Sequence, residues 1–350
     1  MLDNMKGLMA YSGLATKVRA MQGHLLTQED FLTIVRLPDI PAVAAWLRGQ
    51  PSYEPMLREL NTAAVHREEL EPHLRESVYY DFAKIYRFAD AYQRQFLGLY
   101  LMRYETSFLK ECLKYVLGLR DARPDPDRLE RHLSRSSRLP FRELSGASSL
   151  QELIGLLEKT PYHAPLSAAV TAESPSLFDC EMALDLCHFG TVWRERRNVV
   201  SRAELPKLTE FCGAKFDMLN LLWIRRCKKY YQMTPAEIYA LLIPVDYRLR
   251  QADLTALVES GSVEETDRLI EKTWYGRHFP GLSGDTLETD YNRILKEILT
   301  HEALRSPYSI SAIYSYLYQK EHEVYRLIIA LECVRYQVPP EEAVLHLSTR

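Results

Sequence analysis

The chain has 350 residues, of which 47% are hydrophobic and 26% charged, and its 44 basic and 47 acidic side chains give a formal net charge of −3. This balance is typical of a globular protein and excludes an intrinsically disordered chain and a basic nucleic-acid-coating protein. Only 14 glycines are present, about half the usual share, which argues against the glycine-rich nucleotide-binding folds.

The first residues contain no apolar core followed by a cleavage site, which predicts a protein that stays in the cytoplasm. The longest nearly unbroken apolar stretch, 238–245, contains Pro244 and is far shorter than the roughly 20 residues of a membrane span, so we expect no transmembrane insertion. The six cysteines show no C-x-x-C spacing. That pattern predicts buried thiols rather than disulfides or a zinc site.

Helical periodicity dominates every long window, and the alternation typical of β-strands is nearly absent. Leu101, Tyr104, Phe108 and Cys112 follow one another at steps of three and four, which places them on one face of a helix. The sequence therefore predicts an all-α fold. Hydroxyl-led helix starts with an acidic residue three positions later are predicted at Thr27, Ser149, Thr234 and Ser262.

Two kinds of segment recur at a spacing of about 110 residues. The first is a helix that ends in a polar turn and a tyrosine, in AVAAWLRGQPSY (42–53), LQELIGLLEKTPY (150–162) and EETDRLIEKTWY (264–275). The second is an acidic residue that opens an apolar helix, followed by a turn and a second helix. These matches predict six repeat-equivalent structural anchors: Tyr53, Tyr162, Tyr275, Glu105, Asp217 and Glu323.

The segment 13–35 reads as a partial copy of the second kind, so the chain begins and ends with parts of one repeat. This order predicts three similar helical domains. The first comprises residues 1–60 and 320–350 and is closed by both termini, the second spans 61–175 and the third spans 176–319.

No motif for catalysis, cofactor binding or metal binding is present. The chain lacks a P-loop, a G-x-G-x-x-G sequence and a G-x-S-x-G elbow. His301 and His322 each precede a glutamate as in zinc proteases, but arginine occupies the position of the second histidine. We therefore predict no catalytic residue, no cofactor, no metal and no small-molecule substrate.

Two basic clusters follow tryptophans at 193 and 223 and are candidate contact surfaces for a partner protein. Because acids outnumber bases and interrupt the first cluster, a nucleic-acid interface is disfavoured. Solvated helix ends are the alternative, since cations are favourable at helix C-termini. The candidate residues are Arg194, Arg196, Arg197, Arg225, Arg226, Lys228 and Lys229.

Three stretches resemble a known family: YSGLATKVRAMQGHLLTQEDFLTIVRLPDIPAVAAWLRGQPSY (11–53), FDMLNLLWIRRCKKYYQMTPAEIYALLIP (216–244) and IYSYLYQKEHEVYRLIIALECVRYQVPPEEAVLHL (313–347). The central stretch fits a D-x-x-N-L helix with a basic tail and a following Pro-led helix, with Asp217, Asn220 and Leu221 in the motif. The chain is thus similar to the C subunit of A/V-type rotary ATPases (ATP synthases) and to the d subunit of the vacuolar proton pump. It departs from the central pattern in its closing copy, where Arg326 stands in the place of Asn220.

This resemblance implies a funnel-shaped arrangement of the three domains about a pseudo-threefold axis. It implies a non-enzymatic adaptor of the central stalk, peripheral to the membrane on its cytoplasmic side. The partners implied are the D- and F-type shaft subunits and the membrane proteolipid ring, between which the adaptor would transmit torque for coupled ion transport. Two alternatives remain at this point: a soluble helical scaffold of an unrelated complex, and a metal-dependent hydrolase built on the acidic helices.

Overall fold

The computed structural model describes residues 2–170 and 176–348. Within these residues every regular element is helical and no β-strand occurs, which confirms the all-α prediction. The chain divides into two compact units. The terminal unit comprises residues 1–89 and 292–350, and the central unit comprises residues 90–291.

The terminal unit is built from helices at both ends of the chain. Its helices are α1 (Leu2–Gln22), α2 (Gln28–Ile34), α3 (Ile40–Arg48), α4 (Glu54–Leu57), α5 (Arg67–Phe88), α18 (Ile310–Arg335) and α19 (Pro340–Ser348). Helix α17 (Leu287–Arg305) enters this unit at residue 292. Helix α18 packs against α1, α2, α3 and α5, and Phe31, Leu47, Phe82 and Leu317 are buried at the centre of the unit.

The central unit contains the remaining helices. They are α6 (Ala91–Val116), α7 (Asp127–Leu133), α8 (Phe141–Gly146), α9 (Leu150–Gly155), α10 (His163–Ala169), α11 (Leu177–Val199), α12 (Leu205–Arg226), α13 (Pro235–Leu241), α14 (Gln251–Glu259), α15 (Val263–Lys272) and α16 (Trp274–His278). A π-helical segment, Cys227–Tyr231, extends α12. Helix α11 packs along α6 and α12. Leu101, Tyr104, Phe108 and Cys112 are all buried on α6, as their spacing predicts.

The predicted helix starts are confirmed, with one difference in detail. Thr27 and Thr234 each form the reciprocal capping box. Ser149 and Ser262 accept from the backbone N–H three residues on, but the following glutamates bond elsewhere. Their carboxylates accept from the backbone N–H of the residue before the cap, so the capping pair there is shifted by one position.

The three long helices that contain the predicted acids end in the same kind of turn. Gly118 follows α6 with φ of 70°, Gln232 follows the π-helical segment with φ of 49°, and Gln337 follows α18 with φ of 53°. A residue in the left-handed conformation ends a helix because the N–H groups at and after it can then donate to unpaired carbonyls of the last helical turn. Leu119, Met233 and Val338 donate such bonds.

The predicted division into three domains stays a prediction, and the two compact units have different bounds from it, since residues 61–89 and 292–319 belong to the terminal unit. The terminal unit does combine residues from both ends of the sequence. The predicted boundary at residue 175 lies outside the described residues.

Candidate functional site

The six predicted anchor residues meet as three buried tyrosine–carboxylate pairs. In each pair the tyrosine hydroxyl donates a hydrogen bond to the carboxylate of a long helix. The pairs are Tyr53 with Glu323 at 2.6 Å, Tyr162 with Glu105 at 2.7 Å, and Tyr275 with Asp217 at 3.0 Å. Each tyrosine is completely buried. Each bond therefore links a long helix to the end of a short one inside the core.

Among the described residues, the hydrogen-bond partners of the first of the three carboxylates, Glu105, are hydroxyl groups. Glu105 accepts from Tyr162 and, at 2.5 Å, from the Ser137 hydroxyl. Burial raises the pKa of Glu105, and the two hydrogen bonds oppose that rise. Burial and the neighbouring carboxylate also raise the pKa of the Tyr162 hydroxyl, so this tyrosine serves as a hydrogen-bond donor.

Asp217 on α12 holds a loop as well as a tyrosine. Its Oδ2 accepts from the backbone N–H groups of Arg248 and Leu249, at 2.8 and 3.0 Å, and from Tyr275. The side chain is 0% exposed, and its Oδ1 has no hydrogen-bond partner among the described residues. Burial raises the pKa of this carboxyl from 3.8 to about 6, against the lowering effect of its three hydrogen bonds.

We expect Asp217 to make the stability of the protein fall as the pH rises from 5 to 7. A raised carboxyl pKa means that the folded state binds the proton more tightly than the unfolded state, so the stabilisation is lost as the proton leaves near pH 6. The neutral variant Asp217→Asn lacks this loss. The difference between their unfolding free energies should change by about 1 kcal/mol over this range, in favour of the variant at pH 7. Urea unfolding at both pH values measures it, and parallel pH profiles would contradict the expectation.

The motif residue Asn220 fixes the same loop one helical turn further along α12. Its Nδ2 donates to the Ile243 carbonyl at 3.0 Å, and its Oδ1 accepts from the Ile243 N–H at 2.9 Å. The loop also approaches the helix backbone closely, since a Cβ on Gly213 would lie 2.4 Å from Cγ of Tyr247. The D-x-x-N spacing therefore places a carboxylate and an amide on one helix face, where both bind the backbone of residues 242–250.

Glu323 on α18 has a different set of partners. Its Oε1 accepts from Tyr53 and, at 2.8 Å, from the ammonium of Lys320. Its Oε2 accepts a short hydrogen bond from the Leu26 N–H. Lys320 is 0% exposed, and its Nζ lies 3.9 Å from the centre of the Tyr53 ring. This site is thus a buried ion pair that binds the N-terminal segment to the C-terminal helix.

A fourth tyrosine–carboxylate pair was not predicted. The Tyr316 hydroxyl donates to Asp81 at 2.7 Å, and Lys84 lies 3.6 Å from the same carboxylate. Both partners of the pair are buried. Neither residue belongs to the recurring segments. The position of Asp81 among apolar residues of α5 is nevertheless a sequence signal that could have indicated a buried carboxylate.

In the first basic cluster the cations occupy different environments. Arg196 is buried and lies over the Trp193 ring at 3.4 Å, with its Nε donating to Thr209 at 3.2 Å. Arg194 and Arg197 are exposed on the same helix, and Arg194 pairs with the adjacent Glu195. Among the three, Arg194 and Arg197 are thus the ones accessible to a partner.

In the second cluster, intramolecular acids and carbonyls engage the cations. Arg225 is buried, donates to both oxygens of Asp267 at 2.8 and 3.1 Å, and donates to Asp285 at 2.6 Å. The predicted partner-contact role of this cluster stays a prediction. Its other members are placed as follows: Arg226 donates to Glu288, Lys228 donates to the Ser260 carbonyl, and Lys229 lies 3.7 Å from Asp285.

The described part of the chain holds no grouping of three or more histidine, cysteine or acidic side chains suited to a metal ion. Five of the six cysteines are buried and Cys187 is partly exposed, and all six are free thiols. In the described ranges no helix has both the length and the apolar character that a bilayer crossing requires. The geometry above is that of buried hydrogen bonds that fix helices and loops to one another.

Comparison with known proteins identifies the family. Residues 14–344 match the model of the ATP synthase (C/AC39) subunit family. The A-type ATP synthase C subunit of Thermococcus kodakarensis is 25% identical, over 95% of this chain and 88% of its own length. The proteins of the same name from Methanosphaera stadtmanae and Methanosarcina mazei are 26% and 23% identical, over 89% and 93% of this chain and 81% and 89% of their own lengths. The chain therefore belongs to the ATP synthase (C/AC39) subunit family.

Proposed function

We propose that this protein is the central-stalk rotor adaptor of a membrane A/V-type ATPase. It links the rotating shaft, formed by D- and F-type subunits, to the membrane proteolipid ring, and transmits torque for coupled ion transport. The observation that supports this most is the family match over nearly the whole chain, together with relatives named as C subunits of A-type ATP synthases. We place the protein on the cytoplasmic side, peripheral to the membrane through its complex.

The proposal gives the protein a mechanical role without a catalytic one. A torque-transmitting protein has to resist deformation, and hydrogen bonds between buried polar groups together with dense helix packing restrict motion. The pairs Tyr162 with Glu105 and Tyr275 with Asp217 link helices within the central unit. The pair Tyr53 with Glu323 does the same within the terminal unit.

We further propose that these three pairs are equivalent positions in three related helical domains, arranged as a funnel about a pseudo-threefold axis. Three features support the equivalence: the same donor and acceptor types, the same complete burial of the tyrosine, and a left-handed residue after each acid-containing helix. On this interpretation the first domain is completed by both termini, because Tyr53 and Glu323 come from opposite ends of the chain.

Native mass spectrometry of the tagged chain, extracted from its own membranes in mild detergent, tests the function. We expect a complex that contains the shaft subunits, the proteolipid and one copy of this chain. The purified chain alone should not hydrolyse ATP. Recovery with soluble proteins only, and without proteolipid or ATPase subunits, would instead support the helical scaffold of an unrelated complex.

A further inference from the structure

A small cavity of about 230 Å³ lies in the terminal unit beside the buried pair of Glu323. Its wall includes Phe31 from α2, Lys296 from α17, and His322, Glu323 and Arg326 from α18. Pockets for drug-sized ligands begin at about 300 Å³, so this cavity suits a smaller molecule or a single functional group.

Both oxygens of the one carboxylate in the cavity wall accept hydrogen bonds. Glu323 accepts from Tyr53 and Lys320 with one oxygen and from the Leu26 N–H with the other. Its negative charge is balanced by Lys320, which is completely buried. The ion pair with Lys320 therefore reduces the repulsion between Glu323 and an anion that enters the cavity.

Lys296 and Arg326, the lysine and arginine in the wall, form no ion pair with an acidic residue among the described residues. Arg326 donates from Nη2 to the Gln28 side-chain oxygen at 2.7 Å, its guanidinium lies 3.9 Å from the Phe31 ring centre, and its Nε is buried without an acceptor. Lys296 is exposed at the rim. Burial lowers the pKa of Arg326, and the charge of the nearby Glu323 opposes that effect only in part.

Comparison with the central copy strengthens this interpretation of Arg326. The corresponding Asn220 uses its amide on both backbone groups of Ile243. Arg326 makes no such double contact, and a guanidinium has donors only. The substitution therefore replaces a loop-binding amide by a cation at the wall of a cavity.

We propose that this cavity binds a small oxyanion, such as a phosphate or carboxylate group, between Arg326 and Lys296. Hydrogen bonds from a charged donor to an oxyanion are about twice as strong as neutral ones, and a partly enclosed site screens them less than open solvent does. This site is independent of the rotor function proposed above.

The test is a titration of the full chain with inorganic phosphate and, separately, with acetate, at an ionic strength held constant with chloride. The NMR signal of the Arg326 Nε–H group reports directly on the site. We expect a saturable shift of this signal with at least one of the two anions and none with chloride alone. Lys296→Gln should weaken the binding about tenfold, since a hydrogen bond to a charged group contributes that much.

Arg335→Gln is the matched control, because Arg335 lies on the same helix outside the cavity and should leave the affinity unchanged. Lys296 is exposed, so its variant is expected to fold even if Arg326→Gln does not. A free anion that binds with the expected response to the variants supports the proposal. Absence of saturation with both anions overturns it, and so does an affinity that Lys296→Gln leaves unchanged.

Discussion

Replacing Glu323 by glutamine is expected to lower the unfolding free energy of the terminal unit by about 3 kcal/mol, because the variant leaves a buried ammonium without its counter-charge. Glutamine keeps the size of the side chain and an oxygen that can accept from Tyr53. The charge of Lys320, 0% exposed, is then unpaired. Hydrogen exchange of the α18 amides during urea unfolding measures the loss in this unit separately from the central unit.

Two comparisons isolate the charge effect in that experiment. The double variant Lys320→Met with Glu323→Gln should recover most of the loss, because removal of both partners of a buried ion pair costs far less than removal of one. Glu105→Gln is the matched control in the central unit, where the partners are the hydroxyls of Ser137 and Tyr162. It should cost under about 1 kcal/mol, since no buried cation is left behind. Equal losses for Glu323→Gln and Glu105→Gln would refute the interpretation.

The positions of the anchor residues were predictable from the sequence, but their full surroundings were not. A tyrosine after a polar turn and an acid at the start of an apolar helix recur along the chain, and recurrence indicates burial. Lys320 gave no such signal, because a lysine three residues before a glutamate on a helix usually indicates a solvated pair. Only the packing of α18 against the N-terminal helices encloses that pair.

The basic clusters show why local charge patterns are hard to interpret. Arg225 follows a tryptophan near a helix end, where an exposed cation is expected. It is buried because Asp267, 42 residues further along the chain, lies against it in the fold. Arg196 is similarly enclosed by Trp193 and Thr209. A sequence pattern records which cations are close in the chain, whereas burial depends on acids that only the fold brings near.

The apolar stretch 238–245 is a related case, since its role depends on contacts with another helix. Residues 238–241 form the C-terminal part of α13. Ile243 lies beyond the end of this helix, where its backbone is hydrogen-bonded to the side-chain amide of Asn220. Helical periodicity correctly predicts the element that contains Asn220. It does not indicate that the Asn220 side chain forms hydrogen bonds with the backbone of a loop residue 23 positions further along the chain.

The pairing of Asn220 with Ile243 leads to the second large expected effect. Asn220→Leu should lower the unfolding free energy of the central unit by about 2 kcal/mol, because the Ile243 N–H would remain buried without a partner and the Ile243 carbonyl would keep only its hydrogen bond from the Val245 N–H. Leucine has a similar volume, so a cavity contributes little to this loss. Amide exchange at Ile243 should accelerate beyond the change in global stability, since the Asn220 oxygen accepts from that N–H group.

Asn198→Leu is the matched control for this variant, because Asn198 is exposed on α11 and its amide donates only to the side chain of Glu195, at 2.8 Å. It should change stability by no more than about 0.5 kcal/mol. Asn220→Asp distinguishes the two hydrogen bonds: a carboxylate still accepts from the Ile243 N–H but places a second acceptor against the Ile243 carbonyl. A loss as large as that of Asn220→Leu would show that the amide donor is indispensable. Near-wild-type stability of both variants would mean that the 242–250 loop is held by Asp217 and the packing at Gly213 alone.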